Sequence, residues 1–120
     1  MTRILAVDDS PSMRDMVRIA LTSAGFDVTQ ATDGEEALAL ARSSSFDLIL
    51  SDVNMPNMDG IALIRALRAE NAYRHTPILM LTTDGSAERK REGKEAGATG
   101  WIVKPFDPAQ LIATMLRVLR

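Results

Sequence analysis

Short apolar runs alternate with segments of helical periodicity along the whole chain, and no other feature restricts the fold as much. Between the runs, apolar residues recur at three- and four-residue spacing, as on the buried face of an amphipathic helix. Regular alternation of strands and helices is typical of a parallel sheet with crossover helices. The sequence therefore predicts an α/β domain with five helices and five strands, at Ile4–Val7, Asp27–Gln30, Leu48–Ser51, Ile78–Leu81 and Trp101–Val103.

Capping residues delimit most of the helices. Ser10 is suited to the N-cap of the first helix and Pro11 to its first position, while Gly25 favours the left-handed conformation in which many helices end. The caps predicted for three other helices are Asp33, with Glu36 at capping-box spacing, Asp59 and Asp107. The residues predicted to face the core are Met13, Met16, Val17, Ala20, Leu21 and Ala24 of the first helix and Leu111, Ile112, Met115, Leu116 and Leu119 of the last.

The fourth predicted helix, residues 86–96, differs from the others because it has almost no apolar face. Seven of its residues are charged, alanine is its only apolar anchor, and Gly93 lies in its middle. An interior glycine costs about 1 kcal/mol relative to alanine, and most helices in proteins owe their stability to apolar packing. We therefore predict that this helix is the least stable element.

The composition excludes several classes of function. A formal net charge of -2 gives no basic excess for nucleic-acid binding, and the absence of cysteine excludes disulfide and thiolate chemistry. No stretch approaches the roughly 20 apolar residues of a membrane span, and the N-terminal apolar run is too short for a signal peptide. We expect a cytoplasmic domain that does not insert into a membrane.

Polar side chains follow several of the predicted strands. Asp8 and Asp9 come after the first strand, Asp52 after the third and Lys104 after the fifth, while Thr82 ends the fourth. Because the carboxyl ends of parallel strands meet in one crevice, we expect these side chains to lie together. A less specific interpretation is that Asp8 and Asp9 only precede a helix, whose dipole favours negative charge.

Two kinds of chemistry fit this set of residues. Carboxylates and the backbone carbonyl of Asn54 are hard oxygen ligands of the kind that Mg²⁺ prefers. A carboxylate such as Asp52 can also act as a nucleophile and form an aspartyl-phosphate. Lys104 could then pair with phosphoryl oxygens and Thr82 could donate a hydrogen bond to one of them. Taken singly, Thr82 is an ordinary strand residue and Lys104 an exposed lysine, so their joint placement carries the hypothesis.

Competing motifs fail on inspection. An EF-hand loop counted from Asp52 would need a calcium ligand at Pro56 and glycine at Asn57. A glycine-rich P-loop is absent, so nucleotide binding is unsupported. His75, the only histidine, lies in a polar stretch and reads as a surface residue. A histidine that takes part in phosphotransfer would therefore come from another protein.

Four motifs carry a family resemblance. They are V-D-D-S at 7–10, S-D-V-N-M-P-N-M-D-G at 51–60, L-T-T-D at 81–84 and G-A-T-G-W-I-V-K-P-F at 97–106. On these motifs the chain resembles the receiver domains of two-component response regulators, most closely the single-domain chemotaxis regulators of the CheY type. The resemblance spans essentially the whole chain. It implies a doubly wound, flavodoxin-like parallel sheet in the order 2-1-3-4-5, and a receiver domain over residues 1–120 with no effector domain.

The resemblance also implies roles for individual residues. Asp52 is expected to be the phosphoacceptor, with Asp9, Asp52 and the Asn54 carbonyl as direct Mg²⁺ ligands and Asp8 acting through water. Thr82 and Lys104 are expected to bind the phosphoryl group, and the Lys104–Pro105 peptide bond to be cis. Trp101 occupies the aromatic switch position, usually a tyrosine. Thr83, Asp84 and Asn54 lie where the family tunes attack by water on the phosphorylated state.

The implied function is a switch that catalyses only its own phosphorylation and dephosphorylation. The phosphodonor would be a sensor histidine kinase. The target, such as a flagellar motor switch protein, would read the face formed by the fourth helix, fifth strand and fifth helix of a monomer. The alternatives are a phosphate sink without a target, an aspartate-nucleophile phosphohydrolase and a simple Mg²⁺ or anion-binding module. A hydrolase of that kind resembles D-x-D, whereas Asn54 stands two residues after Asp52.

Overall fold

The computed structural model, which describes residues 1–120, has one sheet of five parallel strands. They are β1 (Arg3–Val7), β2 (Asp27–Ala31), β3 (Leu48–Ser51), β4 (Ile78–Thr82) and β5 (Gly100–Val103). Their order is β2-β1-β3-β4-β5, as the resemblance implies. Val7 at the end of β1 pairs with Ser51 at the end of β3. Asp8 and Asp52 therefore leave the sheet at the same level.

Five helices connect the strands. They are α1 (Pro11–Ser23), α2 (Gly34–Ser43), α3 (Gly60–Arg68), α4 (Ala87–Ala96) and α5 (Pro108–Val118), with a short 3₁₀ turn at Asn71–Tyr73. Each helix has a side-chain N-cap, and the capping residues are Ser10, Asp33, Asp59, Ser86 and Asp107. Gly25 follows α1 with φ +92°, as predicted. None of the helices combines the length and the apolar character needed to cross a membrane.

The core has two layers, one on each face of the sheet. Leu5 and Val7 of β1 point into a layer that α2 and α3 complete, while Ile4 and Ala6 point into a layer that α1 and α5 complete. Because the central strands are buried on both faces, their apolar runs are uninterrupted rather than alternating. The more polar strand β2 lies at a sheet edge, as predicted.

Three residues predicted to face the core are exposed. Met16 and Leu116 are each 53% exposed, and Ala24 is also exposed. Successive helical residues are rotated by about 100°, so Met16 points well away from its buried neighbour Val17, and Leu116 from buried Met115. Ala24 lies after the last residue of α1, where the helical periodicity no longer determines which side chains face the core. The prediction was wrong there because the buried stripe is narrower than the sequence pattern.

Candidate functional site

Three carboxylates meet at the carboxyl end of the sheet, as the strand ends predicted. The carboxylate oxygens of Asp8, Asp9 and Asp52 lie within 4.8 Å of one another. Asp8 is buried, Asp52 is half-buried and Asp9 is exposed, so the cluster is open to solvent on one side. Carboxylates this close repel one another unless a cation offsets their charge.

Lys104 supplies one such cation from the far side of the sheet. Its Nζ lies 2.8 Å from Oδ2 of Asp8 and 3.4 Å from Oδ2 of Asp52, although β4 separates β5 from β3. The Lys104 and Asp8 side chains are each only 8% exposed. Since desolvation strengthens such interactions, Lys104 is held between the two carboxylates rather than free in solvent.

Backbone N–H groups fix the orientation of the Asp8 and Asp52 carboxylates. The Ser10 N–H donates to Oδ1 of Asp8 at 2.9 Å, and the Val53 N–H donates to Oδ1 of Asp52 at 2.7 Å. Gly60, the first residue of α3, lies so close to Asp52 that a side chain there would collide with the Asp52 carbonyl. The glycine that ends the second motif is therefore required by the packing of α3 against Asp52.

Arg14 is a site residue that the sequence did not reveal. Its Nη1 donates to the backbone carbonyl of Asp8 at 2.8 Å, and its own carbonyl accepts from Nε2 of Gln30. The contact ties α1 to the turn that carries the aspartates. In the sequence Arg14 is only a charged residue beside the apolar stripe of the first helix, and charged residues are common at such positions on any helix.

Thr82 and Trp101 are linked through the backbone of Asp84. Thr82 is fully buried, and its Oγ1 accepts from the Asp84 N–H at 3.2 Å. The Trp101 indole Nε1–H donates to the Asp84 carbonyl at 2.9 Å. The Asp84 peptide groups are thus held at both ends by the two residues that the resemblance identifies as switch residues.

The Asp84 carboxylate is also held. Its pKa is lowered, mainly by the hydrogen bond from the Ser86 N–H, with further contributions from the Ser86 side chain and the Arg89 guanidinium. Arg89 Nε lies 3.9 Å from Asp84, and Arg89 Nη2 lies 3.9 Å from Asp59 at the start of α3. Sequence reasoning did not identify Arg89, because its partners lie on two other parts of the chain.

Trp101 explains the glycine in α4. A methyl group on Gly93 would lie 2.6 Å from Cζ3 of the indole ring, so only glycine lets the ring lie against the helix. Trp101 is half-buried in this position and contacts the core layer below α3. The glycine that weakens α4 by propensity is therefore the residue that lets β5 pack against it.

The remaining candidates lie at the rim. The side chains of Asn54 and Thr83 are exposed, Asn54 three residues beyond β3 and Thr83 one residue beyond β4. The Lys104–Pro105 peptide bond is cis, as the resemblance implies. His75 is exposed, as predicted.

The acidic cluster fits a divalent cation. Three carboxylates against one ammonium leave two negative charges uncompensated, which a divalent cation would balance. All the donors are hard oxygens, and the exposure of Asp9 leaves one side open to water, a combination that suits Mg²⁺.

Comparison with known proteins shows similarity to receiver domains in both sequence and structure. The family model of the response regulator receiver domain matches residues 4–116. Chemotaxis protein CheY-3 of Vibrio cholerae is 43% identical over 110 residues, which cover 91% of this chain and 85% of that protein. The solved structure of Vibrio cholerae chemotaxis protein CheY4 has a TM-score of 0.94 and 55% identity, with 98% of each chain covered.

A longer relative matches equally along this chain. The DNA-binding dual master transcriptional regulator RpaA of Synechocystis sp. is 40% identical over 120 residues. The match covers the whole of this chain and 50% of RpaA, so the chain spans about half the length of that relative.

Proposed function

The chain belongs to the response regulator receiver domain family, and from that premise we propose that it is a switch operated by phosphorylation of Asp52. The observation that carries the proposal is the placement of Lys104, whose Nζ lies between the carboxylates of Asp8 and Asp52. An ammonium held there would pair with the oxygens of a phosphoryl group attached to Asp52. A lysine is suited to this because its charge is compact and mobile.

The proposed transfer is a nucleophilic displacement at phosphorus. A carboxylate oxygen of Asp52 forms the new O–P bond while the N–P bond of a phosphohistidine on the partner kinase breaks. The electron pair of that bond returns to the imidazole nitrogen of the donor. The Val53 N–H fixes the orientation of the nucleophilic carboxylate, and Lys104 offsets the charge of the transferred group.

Asp8, Asp9, Asp52 and the Asn54 carbonyl would hold Mg²⁺. When bound, the ion supplies positive charge that neutralises the carboxylates and the phosphoryl oxygens. The family resemblance and the charge imbalance of the acidic cluster both support this assignment.

Thr82 and Trp101 would carry the signal away from the site. The Thr82 hydroxyl accepts from the Asp84 N–H, so its own hydrogen is free to donate to a phosphoryl oxygen. A shift of Thr82 toward that oxygen pulls on Asp84, whose carbonyl binds the Trp101 indole. The change then reaches β5 and α4, where exposed apolar residues such as Val103 offer surface to a target.

We propose that this switch acts in chemotaxis. The support is that the chain covers most of CheY-3 and nearly all of CheY4. The target would then be a component of the flagellar motor switch, which binds the phosphorylated form at the face of α4, β5 and α5.

The test is labelling with a phosphodonor. We expect stoichiometric, Mg²⁺-dependent labelling of the wild type by a kinase phosphohistidine or by acetyl phosphate, and none of Asp52→Asn. Asp47→Asn is the matched control, because Asp47 is an exposed aspartate whose Oδ2 accepts the Arg3 N–H at the opposite end of β1. Labelling that persists in Asp52→Asn would refute the assignment.

The same assay separates the alternatives. Repeated turnover of a small phosphoester would indicate a phosphohydrolase, and labelling without phosphorylation-dependent binding of a motor switch protein would indicate a phosphate sink. Beryllofluoride with Mg²⁺ should change the fluorescence of Trp101, the only tryptophan, in the wild type but not in Asp52→Asn. We also propose that Asp84 orients water for hydrolysis, so an unchanged dephosphorylation rate in Asp84→Ala would contradict that role.

A further inference from the structure

The loop between β3 and α3, residues 52–59, must keep a defined shape if it is to serve the site. It begins with Asp52 and includes Asn54, and three of its eight residues are exposed. Local hydrogen bonds that support it include those from the Met58 N–H to the Pro56 carbonyl and from the Gly60 N–H, at the start of α3, to the Val53 carbonyl, both 2.8 Å. The start of α2 adds further contacts to the exposed part of the loop.

Contacts between the loop and α2 converge on two neighbouring residues. Asn57 Nδ2 donates to Oδ2 of Asp33 at 2.7 Å, and the Gly34 N–H donates to the Met58 carbonyl at 3.1 Å. A Cβ on Gly34 would lie 2.8 Å from the Cβ of Met58, so the two segments are in close contact. Asn57 has φ +68°, a left-handed conformation that asparagine tolerates better than most residues.

Asp33 uses both of its oxygens. Oδ1 accepts from the Glu36 N–H at 2.9 Å and so caps α2, while Oδ2 accepts from Asn57. These two hydrogen bonds, the one from Glu36 first, lower the pKa of Asp33. One carboxylate therefore joins the helix to the loop, a task that a serine cap could not perform because its hydroxyl is a single, shorter acceptor.

We propose that Asp33 and Asn57 form a positioning pair that holds the β3–α3 loop, and with it the Asn54 carbonyl, in the geometry that binds a divalent cation. The cation-binding part of this proposal rests on the proposed function, whereas the restraint on the loop does not. Neither residue touches the acidic cluster, so their effect would pass through the loop backbone.

The first test separates the cap from the cross-link. Asp33→Ser keeps a good N-cap but removes the acceptor for Asn57. Asp107→Ser is the matched control, because Asp107 caps α5 through the Ala109 N–H. In the metal-free chain we expect amide hydrogen exchange in residues 53–60 to rise about threefold in Asp33→Ser, the effect of losing one exposed hydrogen bond. Calorimetry should show Mg²⁺ affinity about threefold weaker. Asp107→Ser should change neither readout.

The second test reverses the polarity of the pair. Asn57→Asp sets two carboxylates against each other and should loosen the loop. It should also weaken Mg²⁺ binding, whereas the added negative charge alone would strengthen it. The double variant Asp33→Asn/Asn57→Asp restores a donor–acceptor pair with the formal charge of the wild type. We expect both readouts to return to within about twofold of the wild type.

Several outcomes would overturn the proposal. They are an Asp33→Ser variant that behaves as Asp107→Ser does, a double variant as loose as Asn57→Asp, and a loosened loop with unchanged Mg²⁺ affinity. A wild type that does not bind Mg²⁺ would overturn it as well. If the wild type binds Mg²⁺ and the variants behave as expected, but Asp52 accepts no phosphoryl group, the positioning pair stands and the proposed switch falls.

Discussion

α3 and α4 lie against the same face of the sheet, but they are attached to it in different ways. α3 buries five of its nine residues, namely Gly60, Ile61, Leu63, Ile64 and Leu67. α4 buries only Gly93 and Ala96 of its ten. Since buried apolar area is the main source of helix stability in proteins, α3 is anchored by the core and α4 is not.

Directional contacts take the place of apolar area in α4. Trp101 lies against Gly93, Arg89 faces Asp59 and Asp84, and Arg68 donates through Nε and Nη2 to the carbonyl of Gly97. The ion pairs among these contacts join partly exposed side chains, and such pairs contribute little free energy each. The helix that follows the Asp52 loop is therefore held by the apolar core, whereas the helix beside Trp101 is held mainly by polar and edge contacts, and we expect it to be the less stable of the two.

The largest difference should appear in core truncation. Leu63→Ala in α3 should lower the free energy of unfolding by about 2–5 kcal/mol, because Leu63 is fully buried. Ala96→Gly, the corresponding loss in α4, should cost about 1 kcal/mol. Urea denaturation followed by Trp101 fluorescence measures both, with exposed Leu116→Ala as a control that stays below about 1 kcal/mol. Equal losses of unfolding free energy in α3 and α4 would contradict the conclusion that the core anchors α3 more firmly than α4.

The glycines of α3 and α4, Gly60 and Gly93, should respond differently to an added methyl group. Gly60→Ala would press against the Asp52 backbone and lie 2.7 Å from Cε of Met80, so we expect a loss of about 1–3 kcal/mol. Gly93→Ala meets the movable end of the Trp101 side chain and gains about 1 kcal/mol of helix propensity. Its net stability in urea should change little while Trp101 emission shifts. Unchanged emission would show that the ring does not lie on Gly93.

Hydrogen exchange tests the prediction that α4 is the least stable element. Its amides should exchange at least about tenfold faster than those of α3, equivalent to about 1.4 kcal/mol less protection. The measurement is residue-resolved exchange by NMR under native conditions. Protection in α4 equal to that in α3 would mean that the polar contacts anchor it as firmly as a core.

The Trp101 indole hydrogen bond should have a smaller, local effect. Trp101→Phe removes the donor to the Asp84 carbonyl and should cost about 0.5–1.5 kcal/mol by circular dichroism. It should also speed amide exchange in residues 83–86. Tyr73→Phe is the matched control, since it removes a buried hydroxyl that donates to Ala41 and Ser44, away from α4. If both variants speed exchange in residues 83–86 equally, Trp101 has no special link to that loop.

The smallest expected effect is the loss of the stabilisation that the Asp84 carboxylate contributes when the pH is lowered. Because the folded-state pKa of Asp84 lies below its ordinary value of 3.8, its carboxylate stabilises the fold fully above that pH. The stabilisation is lost as the pH falls through the lower, folded-state value. The stability gap between wild type and Asp84→Asn should therefore be constant from roughly pH 5 to 8 and shrink below about pH 4. A stability gap that widens at low pH would show that the pKa of Asp84 is raised, not lowered, in the folded protein.

Local sequence patterns predicted most of the helices and strands because caps and apolar runs depend on interactions between residues close together in the chain. The caps Ser10, Asp33, Asp59 and Asp107 were all identified, since a cap and its N–H partner lie within three residues. The strands β1, β3 and β4 were identified because burial on both faces makes their runs almost entirely apolar. The exposed Met16 and Leu116 were missed, because periodicity does not give the width of a buried stripe.

The sequence predicted that four polar residues at the strand ends lie together, but not the contacts that support them. Asp8, Asp9, Asp52 and Lys104 were placed together by the rule for parallel strand ends, which needs only the strands and their direction. Arg14, Arg89 and the Asp33–Asn57 pair were not, since each acts across elements whose spacing no local pattern encodes.

The amino-acid sequence by itself determined the elements, their caps and the acidic, basic and hydroxyl groups at the strand ends, because each depends on neighbours a few residues away. Only the tertiary structure decided that Lys104 reaches two carboxylates across an intervening strand and that Trp101 lies on Gly93. It also decided that one carboxylate joins α2 to the β3–α3 loop. These contacts join distant segments, and their existence depends on how whole layers pack.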